Sequence, residues 1–185
     1  MKKILGIVLS LGLLVSLAGC SGQQTTAAPA KAADPLKVGR VDYAAHGTKG
    51  FATAFAVVQG DKIVKAYVDE YQFMATEGTK AVPNSDKDMG TAGYKDATKQ
   101  VLASKKVNTA AYSANMAKNA GSKQPWDQNM AAIENYVVGK TIAELEATLK
   151  NTPKEKMPVD TISGSTLADS AGYLTAIVEA AKVAK

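Results

Sequence analysis

Cysteine and histidine are almost absent from this chain of 185 residues, which contains only Cys20 and His46 of these two types. A single cysteine cannot form a disulfide within the chain, so packing alone must hold the fold together. One cysteine and one histidine are also too few for the usual structural zinc site. A catalytic Ser-His-Asp or Cys-His set would have to use His46, and no nucleophile motif lies near it. We therefore expect His46 to be an ordinary surface or core residue.

Long runs of basic charge are missing as well. The chain has 22 basic and 17 acidic residues, a net charge of +5, and its lysines are scattered with little aromatic interleaving. Proteins that bind nucleic acid concentrate positive charge in a patch or stripe. The composition therefore gives no support for nucleic acid as a partner.

The first twenty residues indicate export. Two lysines are followed by an apolar run from Ile4 to Val15 and then by Leu17-Ala18-Gly19-Cys20. A short apolar run between a basic start and small residues is typical of a secretory signal peptide, although an uncleaved signal anchor is the plain alternative. The final four residues resemble the bacterial lipobox, in which the cysteine is lipidated and becomes the mature N-terminus. We expect residues 1–19 to be a lipoprotein signal peptide and Cys20 to carry the lipid.

Residues 20–36 have the composition of a flexible linker. They are mostly Ser, Gly, Gln, Thr, Ala, Pro and Lys, with too little apolar content to fold. We expect the lipid anchor to hold the protein on the extracytoplasmic face of the cell membrane. The linker would let a domain of residues 37–185 stand away from that membrane.

The N-terminal half of the domain has strand patterning. Val38–Ala45 alternates in part, and Phe51–Val58 alternates fully, with its alanines on one face and its phenylalanines on the other. Gly60-Asp61 then separates this run from Lys62–Phe73, as in a β-hairpin with a two-residue turn. In the last run we expect Val64, Ala66 and Val68 on one face, and the opposite face to carry Ile63, Tyr67 and Tyr71.

The rest of the domain has helical patterning after a long loop over 77–94. We predict helices over 95–104, 109–119, 125–138, 141–150 and 167–184. Thr141 and Glu144 have the spacing of a capping box, and the last helix carries one apolar stripe, formed by Leu167, Ala171, Leu174, Val178 and Ala181. The fold class is therefore α+β, an antiparallel sheet with a β-hairpin covered by helices, ending in a C-terminal amphipathic helix.

The segment DTISGST, from Asp160 to Thr166, precedes that last helix and holds more hydroxyl groups than one helix cap needs. Ordinary N-capping explains a serine or threonine here, and a loop glycine is equally common. A bound phosphate is the other interpretation, because a helix N-terminus presents unpaired N–H groups and positive potential to anions. Gly164 would let the backbone approach such a phosphate closely. The residues alone leave both interpretations open.

The same segment resembles a family motif, approximately Asp-x-x-(Ser/Thr)-Gly-Ala-Thr followed by a helix. The family is the FMN-binding domain of the flavin-carrying subunits of the sodium-pumping NADH:quinone oxidoreductase and Rnf complexes, and of single-domain lipoproteins of Gram-positive bacteria. Asp160, Ser163, Gly164 and Thr166 match it, and Ser165 stands where alanine is usual. The resemblance implies that a flavin transferase attaches FMN to Thr166 through a phosphoester.

If the resemblance holds, the chain is an electron-transfer module rather than a turnover enzyme. It would take electrons from a membrane-bound donor such as a quinol dehydrogenase and pass them to an extracellular acceptor. Asp160 would bind a metal used by the transferase or orient the loop, or would simply form a turn. Four side chains are candidates for contact with the flavin ring or, more plainly, for the core: Tyr94, Trp126, Met130 and Tyr136.

A non-redox envelope lipoprotein is the alternative function. It would be an unmodified binding or structural module, or the precursor of a short peptide pheromone released from the signal peptide. Ser165 in place of alanine is the feature that favours it, because the transferase reads this motif.

Overall fold

Four antiparallel strands form one sheet in the order β1-β2-β3-β4. The computed structural model describes residues 33–47, 50–83, 99–153, 156–157 and 170–185. The strands are β1 (Leu36–Tyr43), β2 (Gly50–Gln59), β3 (Lys62–Ala75) and β4 (Gln100–Ser104). Each strand pairs with the next one along the chain, so neighbours in sequence are neighbours in the sheet.

Four helices complete the described part of the fold. They are α1 (Thr109–Ala120), α2 (Trp126–Tyr136), α3 (Ile142–Asn151) and α4 (Ser170–Lys182). The predicted capping box is confirmed, because the Thr141 hydroxyl accepts from the Glu144 amide while the Glu144 carboxylate accepts from the Thr141 amide. None of the helices in the described ranges is both long and apolar enough to cross a membrane. The α+β class predicted from the sequence is confirmed.

The predicted β-hairpin is confirmed, but a bulge changes one of its faces. Gly60, with φ of +62°, turns the chain between the paired residues Gln59 and Lys62. The register then shifts, because Val57 pairs with Lys65 whereas Val58 pairs with Ile63. The extra residue, Val64, is exposed, and Ile63 is fully buried on the same face as Ala66. The prediction that Ile63 lies with Tyr67 and Tyr71 is therefore wrong.

The inner face of the sheet is built from small side chains. Ala52, Ala54 and Ala56 of β2 and Ala66 of β3 are buried there. Their small volume lets the backbone of α4 approach closely. A Cβ atom on Gly39 would lie 1.8 Å from the Ala180 carbonyl oxygen. Helix α4 thus rests on β1 and β2 with almost no space between the two backbones.

Helix α4 is buried on more than one side. The described members of the predicted apolar stripe are buried, and Leu167 lies outside the described residues. The helix also buries Tyr173, Ala176, Ile177 and Ala180. The reason is that α4 contacts both the sheet and α3, so a second face is covered. Its C-terminal continuation pairs with the edge of the sheet, because Val38 and Lys185 exchange backbone hydrogen bonds of 3.2 and 3.3 Å.

The predicted helix over 95–104 is wrong in its last five residues, which form strand β4. The side chains of Gln100–Ser104 follow no clear helical or strand period, and a run this short is ambiguous from periodicity alone. The conformation of this segment is decided by its pairing with the free end of β3. The register runs from Ser104 opposite Tyr71 to Gln100 opposite Ala75. Tertiary pairing therefore overrides local propensity here.

The close contact at Gly39 generates a stability prediction. Gly39→Val would force a side chain against the Ala180 carbonyl, and we expect a loss of about 2–3 kcal/mol of unfolding free energy. Urea unfolding followed by circular dichroism measures it. Lys37→Val, on the same strand at an exposed position, is the control and should change stability little. Equal stability of the two variants would contradict the packing described.

Candidate functional site

The motif residues named from the sequence lie outside the described residues, as does Cys20, the predicted site of lipidation. These motif residues are Asp160, Ser163, Gly164, Ser165 and Thr166. The nearest described residues on either side are Met157 and Ser170, and both are buried. Helix α4 is described from Ser170, so its first described turn is the nearest helical structure that follows the motif.

A buried charge cluster lies against that first turn of α4. Glu70 of β3 is fully buried, and its Oε2 atom accepts a 2.7 Å hydrogen bond from the ammonium of Lys105. The Tyr173 hydroxyl of α4 donates a very short hydrogen bond to the same oxygen. The partners of one carboxylate thus come from the turn after β4 and from the first turn of α4.

The environment fixes the ionisation of this carboxyl group. Burial alone would raise the pKa of Glu70, but hydrogen bonding to His46, the charge of Lys105, and hydrogen bonds from Lys105 and Tyr173 outweigh burial. Together they lower the Glu70 pKa from 4.5 to about 2. Burial, followed by the negative charge of Glu70, raises the pKa of Tyr173 well above its usual value. Near neutral pH the cluster therefore holds a carboxylate and a neutral phenol.

His46 connects the cluster to solvent. Its Nδ1 atom lies 3.1 Å from the Tyr173 hydroxyl oxygen and 3.7 Å from Glu70 Oε2. Its side chain is 24% exposed, whereas that of Glu70 is completely covered. Close packing of Gly172 on the Ala45 carbonyl, where a Cβ atom would lie only 2.3 Å away, holds the His46 loop against α4. The expectation that His46 is an ordinary surface or core residue thus misses its link to buried charges.

The neighbouring Asp69 holds the turn that presents Lys105. Asp69 points to the other side of β3, where Oδ2 accepts a 2.5 Å hydrogen bond from the Ser104 hydroxyl. Its Oδ1 atom accepts from the backbone amide of Lys106 at 3.1 Å. Asn108 donates to the Ser104 carbonyl at 2.9 Å and closes the same turn. Two adjacent acidic residues of β3 therefore fix the turn and its lysine from opposite faces.

Aromatic rings surround the cluster on the helical side. Tyr112 of α1 contacts Trp126 of α2 at 6.2 Å between ring centroids, and Trp126 contacts Tyr173 at 6.4 Å, both edge to face. The Lys105 ammonium lies 4.6 Å from the Tyr112 ring centroid. These contacts shield the Glu70–Lys105 pair from water.

The sequence-based candidates for contact with a flavin ring separate into two groups. Trp126 and Met130 are buried in the core, which was the simpler of the two roles predicted for them. Tyr136 is half-buried, lies 4.3 Å from the Lys140 ammonium, and lines a shallow depression with Gln128 and Asn135. Tyr94 lies outside the described residues.

Three buried polar atoms have no hydrogen-bond partner within the described ranges: Glu70 Oε1, Trp126 Nε1 and Asn129 Oδ1. Two of them belong to the cluster, since Trp126 contacts Tyr173 and Tyr173 bonds Glu70. Unpaired buried polar atoms are uncommon and costly. Glu70 Oε1 is therefore a buried acceptor of the cluster that the described residues leave unpaired.

Sequence reasoning missed Glu70, Lys105 and Tyr173. One signal was available: the acidic pair Asp69-Glu70 stands between the apolar Val68 and the aromatic Tyr71 in a strand pattern. Buried acids are almost always paired, so such an interruption predicts a buried partner without identifying it. In the parts of the chain that the structure describes, no group of three or more His, Cys, Asp or Glu side chains could hold a metal ion.

Comparisons with protein-family models, with curated proteins and with solved structures found no match for this chain.

The lowered pKa of Glu70 predicts acid sensitivity. A group whose pKa is lower in the folded state contributes stability above its unfolded pKa and loses that contribution as pH falls through the folded value. As the pH falls from about 5 to about 2, the wild-type protein should therefore lose the stability that the ionised Glu70 carboxylate contributes. Urea midpoints measured across this range should fall less steeply in Glu70→Gln than in wild type. The exposed control Glu77→Gln should follow the wild-type curve, and identical curves for all three proteins would contradict the assignment.

The pairing of Glu70 with Lys105 predicts strong coupling between the two residues. Glu70→Gln or Lys105→Met alone leaves one buried charge without its partner and should cost about 3–5 kcal/mol. The double variant should lose less unfolding free energy than the sum of the losses in the two single variants. The difference, which is the coupling energy, should be about 1–3 kcal/mol. Unfolding of all four proteins in urea measures this cycle. Additive losses would show that the pair does not act as a unit.

Proposed function

We propose that this protein is an extracytoplasmic, lipid-anchored electron carrier with FMN joined to Thr166 by a phosphoester. The observation that carries the proposal is the segment Asp160-Thr-Ile-Ser-Gly-Ser-Thr166 directly before the last helix. Cys20, at the end of an export signal, supports the location. The α+β domain with a C-terminal helix is the architecture that the resemblance to FMN-binding domains implies.

The physical chemistry of the last helix favours a phosphate ester in this segment. Thr166 precedes the described start of α4 by only four residues. Helix N-termini attract anions through their unpaired amides and the helix dipole. Gly164 has no Cβ atom and therefore allows a phosphate to approach the backbone closely.

The described residues around α4 suit a covalently held group. Nine residues of α4 are buried, so the helix that follows the attachment residue is rigidly held by the domain.

A covalent link also fits the extracytoplasmic location. Free FMN is dilute outside the cytoplasm, so a dissociable cofactor would be lost from the protein. Covalent attachment keeps the local concentration of flavin high whatever the surroundings contain. FMN would supply the redox chemistry, while the protein would position it and adjust its electrostatic environment.

The partners follow from this role. A flavin transferase would attach the cofactor, a membrane-bound donor such as a quinol dehydrogenase would supply electrons, and an extracellular acceptor would receive them. The lipid on Cys20 would keep the carrier beside a membrane-bound donor. Scattered lysines and a modest net charge of +5 give no reason to include nucleic acid.

Modification of Thr166 is tested by mass spectrometry. Co-expression with an FAD-dependent flavin transferase should add one FMN to the peptide that contains Thr166. Thr166→Ala should abolish the added mass, whereas Thr161→Ala, in the same segment, should retain it. The Ser165→Ala variant should be modified with FMN at least as completely as the wild-type protein, because the substitution restores the usual residue of the family motif. Unmodified wild-type protein would overturn the proposal.

A non-redox envelope protein is the second candidate, and Ser165 is the observation that favours it. The colour of the native protein separates the two functions. Protein purified from its own host that remains yellow after acid precipitation carries covalent flavin and rules out the second candidate. Colourless native protein, together with an unmodified Thr166 peptide, would favour it.

A further inference from the structure

The outer face of the sheet, opposite the buried alanines, carries an apolar patch at the hairpin end. Leu36 and Val38 of β1 are 61% and 55% exposed, and Val64 of β3 is 36% exposed. The strands bring them together, because Val38 pairs with Val57, which in turn pairs with Lys65 beside Val64. Contiguous apolar patches, unlike scattered single residues, mark sites of interaction. We call Leu36, Val38, Val57 and Val64 the outer patch.

The bulge in β3 supplies one member of the outer patch. Val57 pairs with Lys65 and Val58 pairs with Ile63, so Val64 is the extra residue. Ile63 is fully buried, whereas Val64 and Lys65 are both exposed. A bulge changes the direction of nearby side chains. Here it keeps Ile63 in the core and adds an exposed valine to the opposite face.

The described helices lie on the other side of the sheet. The buried residues of α2 and α4 form one core with Ala54 and Ala66, which point to the inner face. Helix α3 contacts α4, so it lies farther still from the outer patch. The outer patch and α3 are therefore on opposite sides of the domain.

Aromatic and basic side chains continue the same face. Phe55 and Tyr67 pair across β2 and β3 and are 37% and 42% exposed, and Lys65 is exposed beside the outer patch. Asp34 and Asp61 lie next to the patch in the chain, outside the strands, so apolar side chains rather than net charge dominate this surface. Exposed apolar side chains beside aromatic rings and lysines are typical of protein surfaces that lie at a membrane interface.

The outer patch lies where the linker enters the domain. Leu36 is the first residue of β1, and Cys20, the predicted carrier of the lipid, precedes it by sixteen residues. A flexible chain of that length has a root-mean-square end-to-end distance of about 20–24 Å. The linker therefore keeps the patch close to the bilayer, at an effective concentration of the order of millimolar. A contact too weak to form from free solution becomes populated at such a concentration.

We propose that the outer patch docks this domain on the lipid bilayer that holds its own anchor. The proposal rests on the location given in the proposed function, because it requires the lipid on Cys20, but it does not require the flavin. The apolar side chains of the patch enter the interfacial region, and Lys65 lies at the level of the lipid phosphates. The anchored domain thus takes one orientation, with the outer face of the sheet toward the membrane and α3 toward solvent. A lipid and a protein surface together hold a protein on a membrane more firmly than either alone.

Fluorescence quenching by lipids measures this orientation. The only cysteine of the chain is the predicted carrier of the lipid, so a thiol-reactive dye labels an introduced cysteine alone. The lipidated protein is labelled at Val64→Cys or at the control Ala147→Cys, an exposed position on α3. Each is reconstituted in phosphatidylcholine–phosphatidylglycerol vesicles that contain lipids nitroxide-labelled near the headgroup. The dye at position 64 should be quenched, and the dye at position 147 should not. Equal quenching at both positions, or none at position 64, would overturn the proposal.

Substitutions within the outer patch test its contribution, with the dye kept at position 64. Val38→Glu should reduce the quenching to the level of the position-147 control, whereas Ala147→Glu should leave it unchanged. Lys65→Gln should lower the ratio of docked to undocked protein about fivefold on these anionic vesicles, and should have no such effect on phosphatidylcholine alone. Circular dichroism checks that each variant is folded, which the exposure of all three positions favours. Unchanged quenching in folded Val38→Glu would overturn the proposal.

Other occupants of the outer patch give different results. A second copy of the chain would cover position 64 only at high protein density, so an effect that disappears as the protein-to-lipid ratio is lowered would overturn the proposal. An effect that persists on dilution supports docking on the bilayer.

The outcomes also separate this proposal from the proposed function. Lipidated protein with no quenching at position 64 would overturn the docking and leave the membrane location intact. An N-terminal peptide whose mass shows no lipid on Cys20 would overturn the location and the docking with it. Neither result depends on FMN at Thr166, so failure of the electron-carrier proposal is recognised separately, from the mass of the Thr166 peptide.

Discussion

The buried carboxylate of Glu70 is the interaction on which the arrangement of this domain depends. It is fully covered, it is ionised, and it bonds Lys105 and Tyr173 from two separate parts of the chain. A buried charge must be compensated, and the compensation here comes only when β3, β4 and α4 are all in place. The requirement therefore favours one mutual arrangement of sheet and helix over others with similar apolar burial.

Small side chains make that arrangement geometrically possible. The alanines of β2 and the glycines at positions 39 and 172 let the backbone of α4 lie almost directly on the sheet and on the loop before His46. A larger side chain at these positions would lift the helix and withdraw the Tyr173 hydroxyl from Glu70. Packing and electrostatics are thus coupled, because the close approach sets the hydrogen bonds. The same approach places the only histidine of the chain beside the helix that follows the motif.

The electron-carrier proposal joins two features found in different ways. The proposed attachment segment, from Asp160 to Thr166, is a local pattern of residues that resembles a family motif. The polar cluster is an assembly of residues distant in sequence, and only the structure brings it together. The two features meet along the chain at the last helix, because Tyr173 lies seven residues after Thr166.

The amino-acid sequence by itself determined the α+β class, the hairpin at Gly60-Asp61, the capping box at Thr141 and the core positions of Trp126 and Met130. These features depend on local periodicity and on turn and cap chemistry, which act over a few residues. Only the tertiary structure decided the strand conformation of Gln100–Ser104, the reversed face of Ile63, and the partners of Glu70. Each of these depends on a contact made across the fold: pairing with the free end of β3, a bulge in the β2–β3 register, and hydrogen bonds between residues up to 103 positions apart. Local pattern cannot encode such contacts, because their energies exist only once distant segments have met.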